Sequence, residues 1–328
     1  MRAALCRAYG EPEVVEVDDV PAPALGEGQA RVRVRAAAVN FPDVLLVADR
    51  YQLSVPPPFV PGSEFAGTVV EVADGVTDVA VGDRVMGTVM VGAFAEEAVA
   101  TASSLTGIPD GVDDAEAAAF GVAHRTAYHV LRSVAEVQPG EELIVLGAGG
   151  GVGLAAVQLG AVLGATVTAV ASSPEKLAVA RSCGAGRLVD RSAVGDLRQT
   201  LREVLPKGAD VVVDPVGGDL AEPALRTLRY GGRFVTVGYA SGTIPKIPLN
   251  LVLLKGCRIL GFEFRSFVTR EPDAHRRGEA ELARLLAERR AVPHIGARFG
   301  LEDAADALRY VADGRAIGKV VLELPSVR

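Results

Sequence analysis

The chain has 328 residues, 49% of them hydrophobic and 23% charged, and a formal net charge of −7. The length exceeds one ordinary core and predicts two domains, while the composition excludes a disordered or fibrous chain. The acidic balance argues against broad nucleic-acid affinity, which needs a positive surface to release counterions.

No uninterrupted apolar run is long enough to cross a membrane, and the opening Met1-Arg-Ala-Ala-Leu-Cys-Arg7 lacks the apolar core of a signal peptide. A cytoplasmic setting without membrane partners is therefore expected. Cys6, Cys183 and Cys257 lie far apart with no C-x-x-C pair, so neither a disulfide framework nor a thiolate zinc site is indicated.

From Val14 to about Ser104 the pattern is of short β-rich runs, clearest at 30–35, 67–73 and 83–87, punctuated by Gly, Pro and Asp. Closely spaced strands with turn signals predict a small barrel-like β domain. Between them a polar, proline-rich stretch carries Asn40, Asp43, Tyr51 and Ser63-Glu64. Its prolines predict an irregular, rigid loop that shapes a pocket, with Asn40 and Asp43 either lining that pocket or capping a turn. A helical region begins near Asp113, with acidic residues where the helix dipole favours them. His124 and His129 lie in this region and read as structural or surface histidines, because no Cys or His partner stands at ligand spacing. The domain boundary is expected at about residue 120.

Residues 143–153, Leu-Ile-Val-Leu-Gly-Ala-Gly-Gly-Gly-Val-Gly, followed by an Ala/Leu/Val segment at helical spacing, predict strand, tight turn and helix. The motif is Ala148-x-Gly150-x-x-Gly153, with alanine in place of the usual first glycine. Gly150, Gly151 and Val152 then stand at a helix N-terminus, whose free N–H groups suit a pyrophosphate. Strand and helix signals alternate from there to residue 261, and six short apolar strands predict a doubly wound parallel sheet of the Rossmann type.

An NAD site usually carries Asp or Glu at the end of the second strand, about 20 residues beyond the glycines. Here Ser172, Ser173 and Lys176 occupy that region, and two hydroxyls with an ammonium suit a 2′-phosphate, so NADPH is the predicted cofactor. Glu175 is either the missing acid or a first-turn residue of the next helix. Arg191, after the third strand, is either a second phosphate partner or a solvated surface residue. Beyond Phe262 the alternation ends. Amphipathic helices at 279–290 and 301–312 and a strand at 320–324 are expected to pack back on the first domain. Lys319 faces either the cofactor cleft or solvent.

This order of domains resembles the medium-chain dehydrogenase/reductase superfamily. Val60-Pro-Gly-Ser-Glu-Phe-Ala-Gly67, Gly149-Gly-Gly-Val-Gly-Leu-Ala-Ala-Val-Gln158, Ser172-Ser-Pro-Glu-Lys176 and Asp214-Pro-Val-Gly-Gly218 are similar to its zinc-free quinone oxidoreductase branch, the zeta-crystallin-like proteins. The resemblance implies a GroES-like catalytic domain from residues 1–120 and 263–328 and a Rossmann domain at 121–262. It implies that Asn40 and Asp43 line the nicotinamide and substrate cleft, that Thr126 lies near the nicotinamide, and that Gly238, Tyr239, Phe262 and Phe264 border the cofactor. Relatives that oxidise alcohols carry Cys at Asn40 and Gly-His-Glu at Gly62-Ser63-Glu64, so no catalytic metal is expected here, and reversible alcohol oxidation is disfavoured. Tyr51, eleven places after Asn40, matches the spacing of a proposed proton donor in related enoyl thioester reductases.

The leading expectation is an NADPH-dependent reductase of a quinone or enone, dimeric through the edge strand of the nucleotide sheet. An enoyl-thioester reductase is one alternative; a cofactor-binding protein with a structural or nucleic-acid-binding role is the other.

Overall fold

The computed structural model describes residues 1–324. The chain divides into two compact units, Met1–Val122 with Val292–Arg328, and Ala123–Ala291. Residues 263–291 therefore belong to the second unit, whereas the sequence reading returned everything beyond 262 to the first.

In the first unit a seven-stranded sheet is built on the long strand Gln29–Val39. Along Gln29–Val34 its even-numbered residues are buried and most of the others are not, as the alternation of Arg and apolar residues predicts. Beyond Ala36 it is buried at every position. It pairs antiparallel with Glu64–Val72 on one side and with Lys319–Glu323 on the other. The registers Ala38↔Glu64 and Val39↔Val320 bring the beginnings of both neighbours to the end of this central strand, next to Asn40. Phe65, Phe94, Leu308 and Leu322 fill the core beneath. The stretch after Asn40 is the helix Phe41–Val47 rather than an irregular loop. Pro42 stands in its first turn, where the missing N–H costs nothing.

The second unit carries a six-stranded, all-parallel sheet in the order Arg187–Asp190, Thr166–Ala171, Glu142–Leu146, Ala209–Asp214, Leu228–Thr236, Arg258–Gly261. This is the doubly wound dinucleotide-binding order, and the order reverses beside Glu142–Leu146, the strand that leads into the glycine turn. Ile144, Leu146, Val212 and Phe234 are buried, as strands covered on both faces require. The helix Pro272–Ala287 starts earlier than its apolar spacing suggested, at a proline suited to a first turn.

Candidate active site

In the first unit the polar residues around Asn40 form a closed network. The Asn40 backbone N–H donates to Asp43 Oδ2 at 2.8 Å, and its amide Nδ2 donates to Glu64 Oε1 at 2.9 Å. Lys319 Nζ donates to Asn40 Oδ1 at 2.5 Å and to Glu64 Oε1 at 2.7 Å. Glu64 Oε2 accepts from the Val122 backbone N–H at 2.7 Å. The Lys319 and Glu64 side chains are 5% and 1% exposed, so this ion pair is sealed from water. The solvent-facing alternative for Lys319 is thereby excluded: its strand runs beside Gln29–Val39 and turns the ammonium onto Asn40.

Asp43 is fully buried, and burial pushes its carboxyl up to about 7 against the pull of the Asn40 N–H and the Lys319 charge. Asp43 thus caps the helix, as the turn-capping reading expects. Tyr51 is half-buried in the irregular stretch after the helix, with Gln52 Nε2 at 3.5 Å from its hydroxyl.

In the second unit the glycine turn joins Glu142–Leu146 to the helix Gly151–Val162, with Gly150 at the N-cap. Gly147 has φ +59°, and a Cβ on Gly153 would stand 2.1 Å from the Gly147 carbonyl oxygen, so both positions require glycine. A Cβ on Gly149 would meet Lys176 Cβ at 2.6 Å: the lysine stem crosses directly over the turn. Lys176 Nζ lies 3.4 Å from Ser172 Oγ, and Ser173 caps the helix Pro174–Ser182 by accepting from the Lys176 backbone N–H. Burial, with the Arg191 charge, lowers the Lys176 pKa, and the Arg191 backbone N–H donates to the Ala171 carbonyl at 2.9 Å, at the end of Thr166–Ala171. Glu175 lies exposed in the first turn of that helix.

Asp214, at the end of its strand, accepts from the Val216 and Gly217 N–H groups at 2.9 and 2.8 Å and holds the 214–218 loop. Val216 of that loop touches the space beside Gly147, and Gly217 lies against the Tyr239 ring. Gly238 follows closely: a Cβ there would stand 3.6 Å from the Pro215 carbonyl oxygen. Gly150–Val152, Lys176, Gly238 and Tyr239 are thus linked through neighbouring loops. Thr126 is half-buried on the helix Asp114–His129. Phe262 and Phe264 pack their rings with His129, Phe267 and His275. Sequence reasoning left Glu64, Asp214 and the destination of Lys319 without a role. The strand-end Asp followed by Pro-x-Gly-Gly was a legible signal for Asp214, since such a carboxylate organises a turn.

Residues 26–110 match the alcohol dehydrogenase GroES-like domain, and residues 151–279 match the zinc-binding dehydrogenase family. The chain is 38% identical over 329 residues to quinone oxidoreductase-like protein 2 of Bos taurus, covering 98% of this chain and 92% of that protein. It belongs to the quinone oxidoreductase branch of the medium-chain dehydrogenase/reductase superfamily. The Escherichia coli quinone oxidoreductase complexed with NADPH has a TM-score of 0.90 and 26% identity, covering 98% of this chain and 100% of that one. Part of the polyketide synthase GfsB of Streptomyces halstedii is 38% identical over 307 residues, 92% of this chain and 5% of that protein.

The zinc of the alcohol-oxidising members of this superfamily does not suit the residues present. Asn40 and Ser63 offer an amide and a hydroxyl where thiolate and imidazole are needed, and both Asn40 Oδ1 and Glu64 Oε1 already accept from the Lys319 ammonium. The nucleotide fits better: Gly150, where a Cβ would meet nothing nearer than 3.6 Å, stands at the N-terminus of the helix Gly151–Val162, and Lys176 and Arg191, whose backbone N–H donates to the Ala171 carbonyl, stand by the end of the second strand.

Proposed function

We propose that the protein is an NADPH-dependent, cytoplasmic reductase that transfers hydride, without a catalytic metal, to a quinone or another activated alkene or carbonyl acceptor. The observation that carries this reading is the buried Lys319–Asn40–Glu64 cluster, whose fixed ammonium takes the donor atoms a metal would need. Lacking a Lewis acid, the site suits acceptors whose reduced form is stabilised by its own conjugation.

When bound, NADPH supplies the hydride. Gly150, Gly151 and Val152 would hold its pyrophosphate, and Ser172, Ser173, Lys176 and Arg191 its 2′-phosphate. Gly238 and Tyr239 would border the nucleotide, and Thr126 the nicotinamide. A quinone that gains a hydride and a proton leaves as the hydroquinone, and an enone leaves as the saturated ketone. Asp43, with a carboxyl titrating at about 7, and the Tyr51 phenol are the two groups assigned to hold that proton, while Lys319 positions Asn40.

Steady-state oxidation of NADPH against a panel of quinones, enones and enoyl thioesters tests the reading. Turnover of quinones or simple enones is expected. Tight NADPH binding with no turnover of any acceptor would leave only the cofactor-binding alternative. The enoyl-thioester reading is supported by Tyr51 and by the similarity to part of GfsB. It requires crotonyl-CoA reduction that falls by about 10²–10⁴ in Tyr51→Phe.

Homodimerisation through the outer strand Arg258–Gly261 is supported by the apolar side chains left exposed near it: Tyr230 at 82%, Leu253 at 81% and Leu254 at 71%. Sedimentation at twice the chain mass, reduced to one chain by Leu253→Glu, is expected; a monomeric wild type overturns it.

A further inference from the structure

The second unit holds a separate set of convergent donor atoms that the proposed reaction does not use. His129 is fully buried at the end of the helix Asp114–His129, where a π-helical segment, Val130–Val134, begins. Such segments are concentrated at functional sites. His129 Nδ1 lies 3.1 Å from Ser133 Oγ, whereas its Nε2 is buried without a hydrogen-bond partner among the described residues. Half-buried His275 likewise leaves its buried Nδ1 without one, 3.8 Å from Glu279 Oε1. One ring nitrogen from each histidine and one Glu279 oxygen all lie within 4.8 Å of one another.

The surroundings are built to hold these groups. His275, Gly278 and Glu279 share one face of the helix Pro272–Ala287. A Cβ on Gly278 would stand 2.6 Å from His129 Cε1 and 3.0 Å from its Nε2, so a residue that weakens the helix makes room for the imidazole. Phe262, Phe264 and Phe267 wall the rings from water. Arg125 Nε donates to Glu279 Oε1 and Oε2 at 2.9 and 2.8 Å and its Nη2 lies 2.6 Å from Oε2, which fixes the carboxylate from behind and leaves the further lone pair on Oε1, the oxygen nearer His275. Two buried ring nitrogens left unpaired are costly, and a ligand contacting both would remove that cost.

We propose that His129, His275 and Glu279 form a structural binding site for a divalent transition ion of the zinc type, tying the helix Pro272–Ala287 to the chain at His129. Two imidazoles and one carboxylate suit zinc, cobalt or nickel rather than magnesium or calcium, which prefer all-oxygen shells. The site requires the tautomer in which His129 Nδ1–H donates to Ser133 Oγ, 3.1 Å away, and Nε2 carries the lone pair. Bonds of about 2.0–2.1 Å in a tetrahedron place donors roughly 3.3 Å apart, so His275 and Glu279 close in by about 1.5 Å at most. The Arg125 charge opposes any cation here and sharpens the preference for one that imidazole holds strongly. Sequence spacing offered His129 no partner; the fold supplies one from 146 positions later.

The test is a titration of the full-length protein, first dialysed against a chelator, with Zn²⁺ and with Co²⁺. Metal content, the visible Co²⁺ spectrum and the thermal midpoint are the readouts. One ion per chain is expected, with a tetrahedral Co²⁺ spectrum and a raised midpoint. His275→Gln should weaken binding at least 30-fold and abolish the rise in midpoint, and Ser133→Ala should weaken binding about tenfold. Cys183→Ser and Glu64→Gln should leave binding unchanged. Absence of stoichiometric binding, equal binding of Mg²⁺, or an ion retained by His275→Gln but lost in Cys183→Ser or Glu64→Gln overturns the proposal. None of these readouts involves turnover.

Discussion

Replacing Lys319 by methionine removes one partner of a buried ion pair while roughly keeping side-chain volume. In Lys319→Met the Glu64 carboxylate, 1% exposed, keeps the Asn40 and Val122 N–H donors but loses its only countercharge among the described residues, and Asn40 Oδ1 loses its donor. A buried charge stripped of its partner costs about 3–5 kcal/mol. With m of about 2–3 kcal/mol/M, the first unit's urea midpoint should fall by roughly 1–2 M at constant m. The chain contains no tryptophan, so far-UV circular dichroism is the probe of choice. The second half of the experiment is Lys319→Met with Glu64→Gln. The carboxamide is uncharged and still accepts from Val122, so more than half of the loss should return once the Asn40 amide turns its oxygen to the new N–H group. Such coupling is what distinguishes a stranded charge from mere loss of packing. A loss below about 1 kcal/mol in the single variant, or strictly additive effects in the double, refutes the view that this pair is sealed from water.

Asp43 sets the pH dependence. Its folded pKa, about 7, is raised above the ordinary 3.8, so the folded state holds a proton that the unfolded state has released. Its contribution is therefore fully present below about pH 4 and lost as pH rises through 7, a total of about 4 kcal/mol. Thermal melts of Asp43→Asn should lack this slope and lie above wild type at pH 8; parallel wild-type and variant curves would contradict the assignment. Lys176→Ala should weaken NADPH binding by about 10–100-fold, the worth of a charge-assisted hydrogen bond, and leave NADH binding unchanged in calorimetric titration. Gly153→Ala places a methyl 2.1 Å from a backbone carbonyl that cannot yield without moving the turn, so NADPH affinity should drop at least tenfold with measurable destabilisation.

The two halves of the candidate site differ in how far they could be read from the chain alone, and the difference has a physical cause. In the second unit the signals are local. Thr166–Ala171, Arg187–Asp190 and Arg258–Gly261 are short apolar runs bounded by helices, and Gly147, Gly153 and Ser173 each act on backbone within a few residues. Local sterics and capping leave their mark in local sequence. In the first unit the decisive contact joins Asn40 and Glu64 to Lys319, 279 and 255 positions away. Nothing near Gly318-Lys319 distinguishes a solvated lysine from a buried one; only the register Val39↔Val320 does. A one-residue slip would turn the lysine to the opposite face of the strand, so the identity of this site depends on strand pairing. The same holds for residues 263–291, whose amphipathic helix fits packing on either unit. His275 and Gly278 reveal their purpose only when set against His129. Helix periodicity says which face of such a segment is apolar, but not which unit that face will find. The grouping of 263–291 with the second unit rests on long-range complementarity of the kind that places Gly278 beside an imidazole, and Gly278→Ala tests it directly. A methyl 2.6 Å from His129 Cε1 should cost stability although alanine is the better helix former by about 1 kcal/mol. Stabilisation by that substitution would show that the packing of this helix on His129 is looser than the contacts imply.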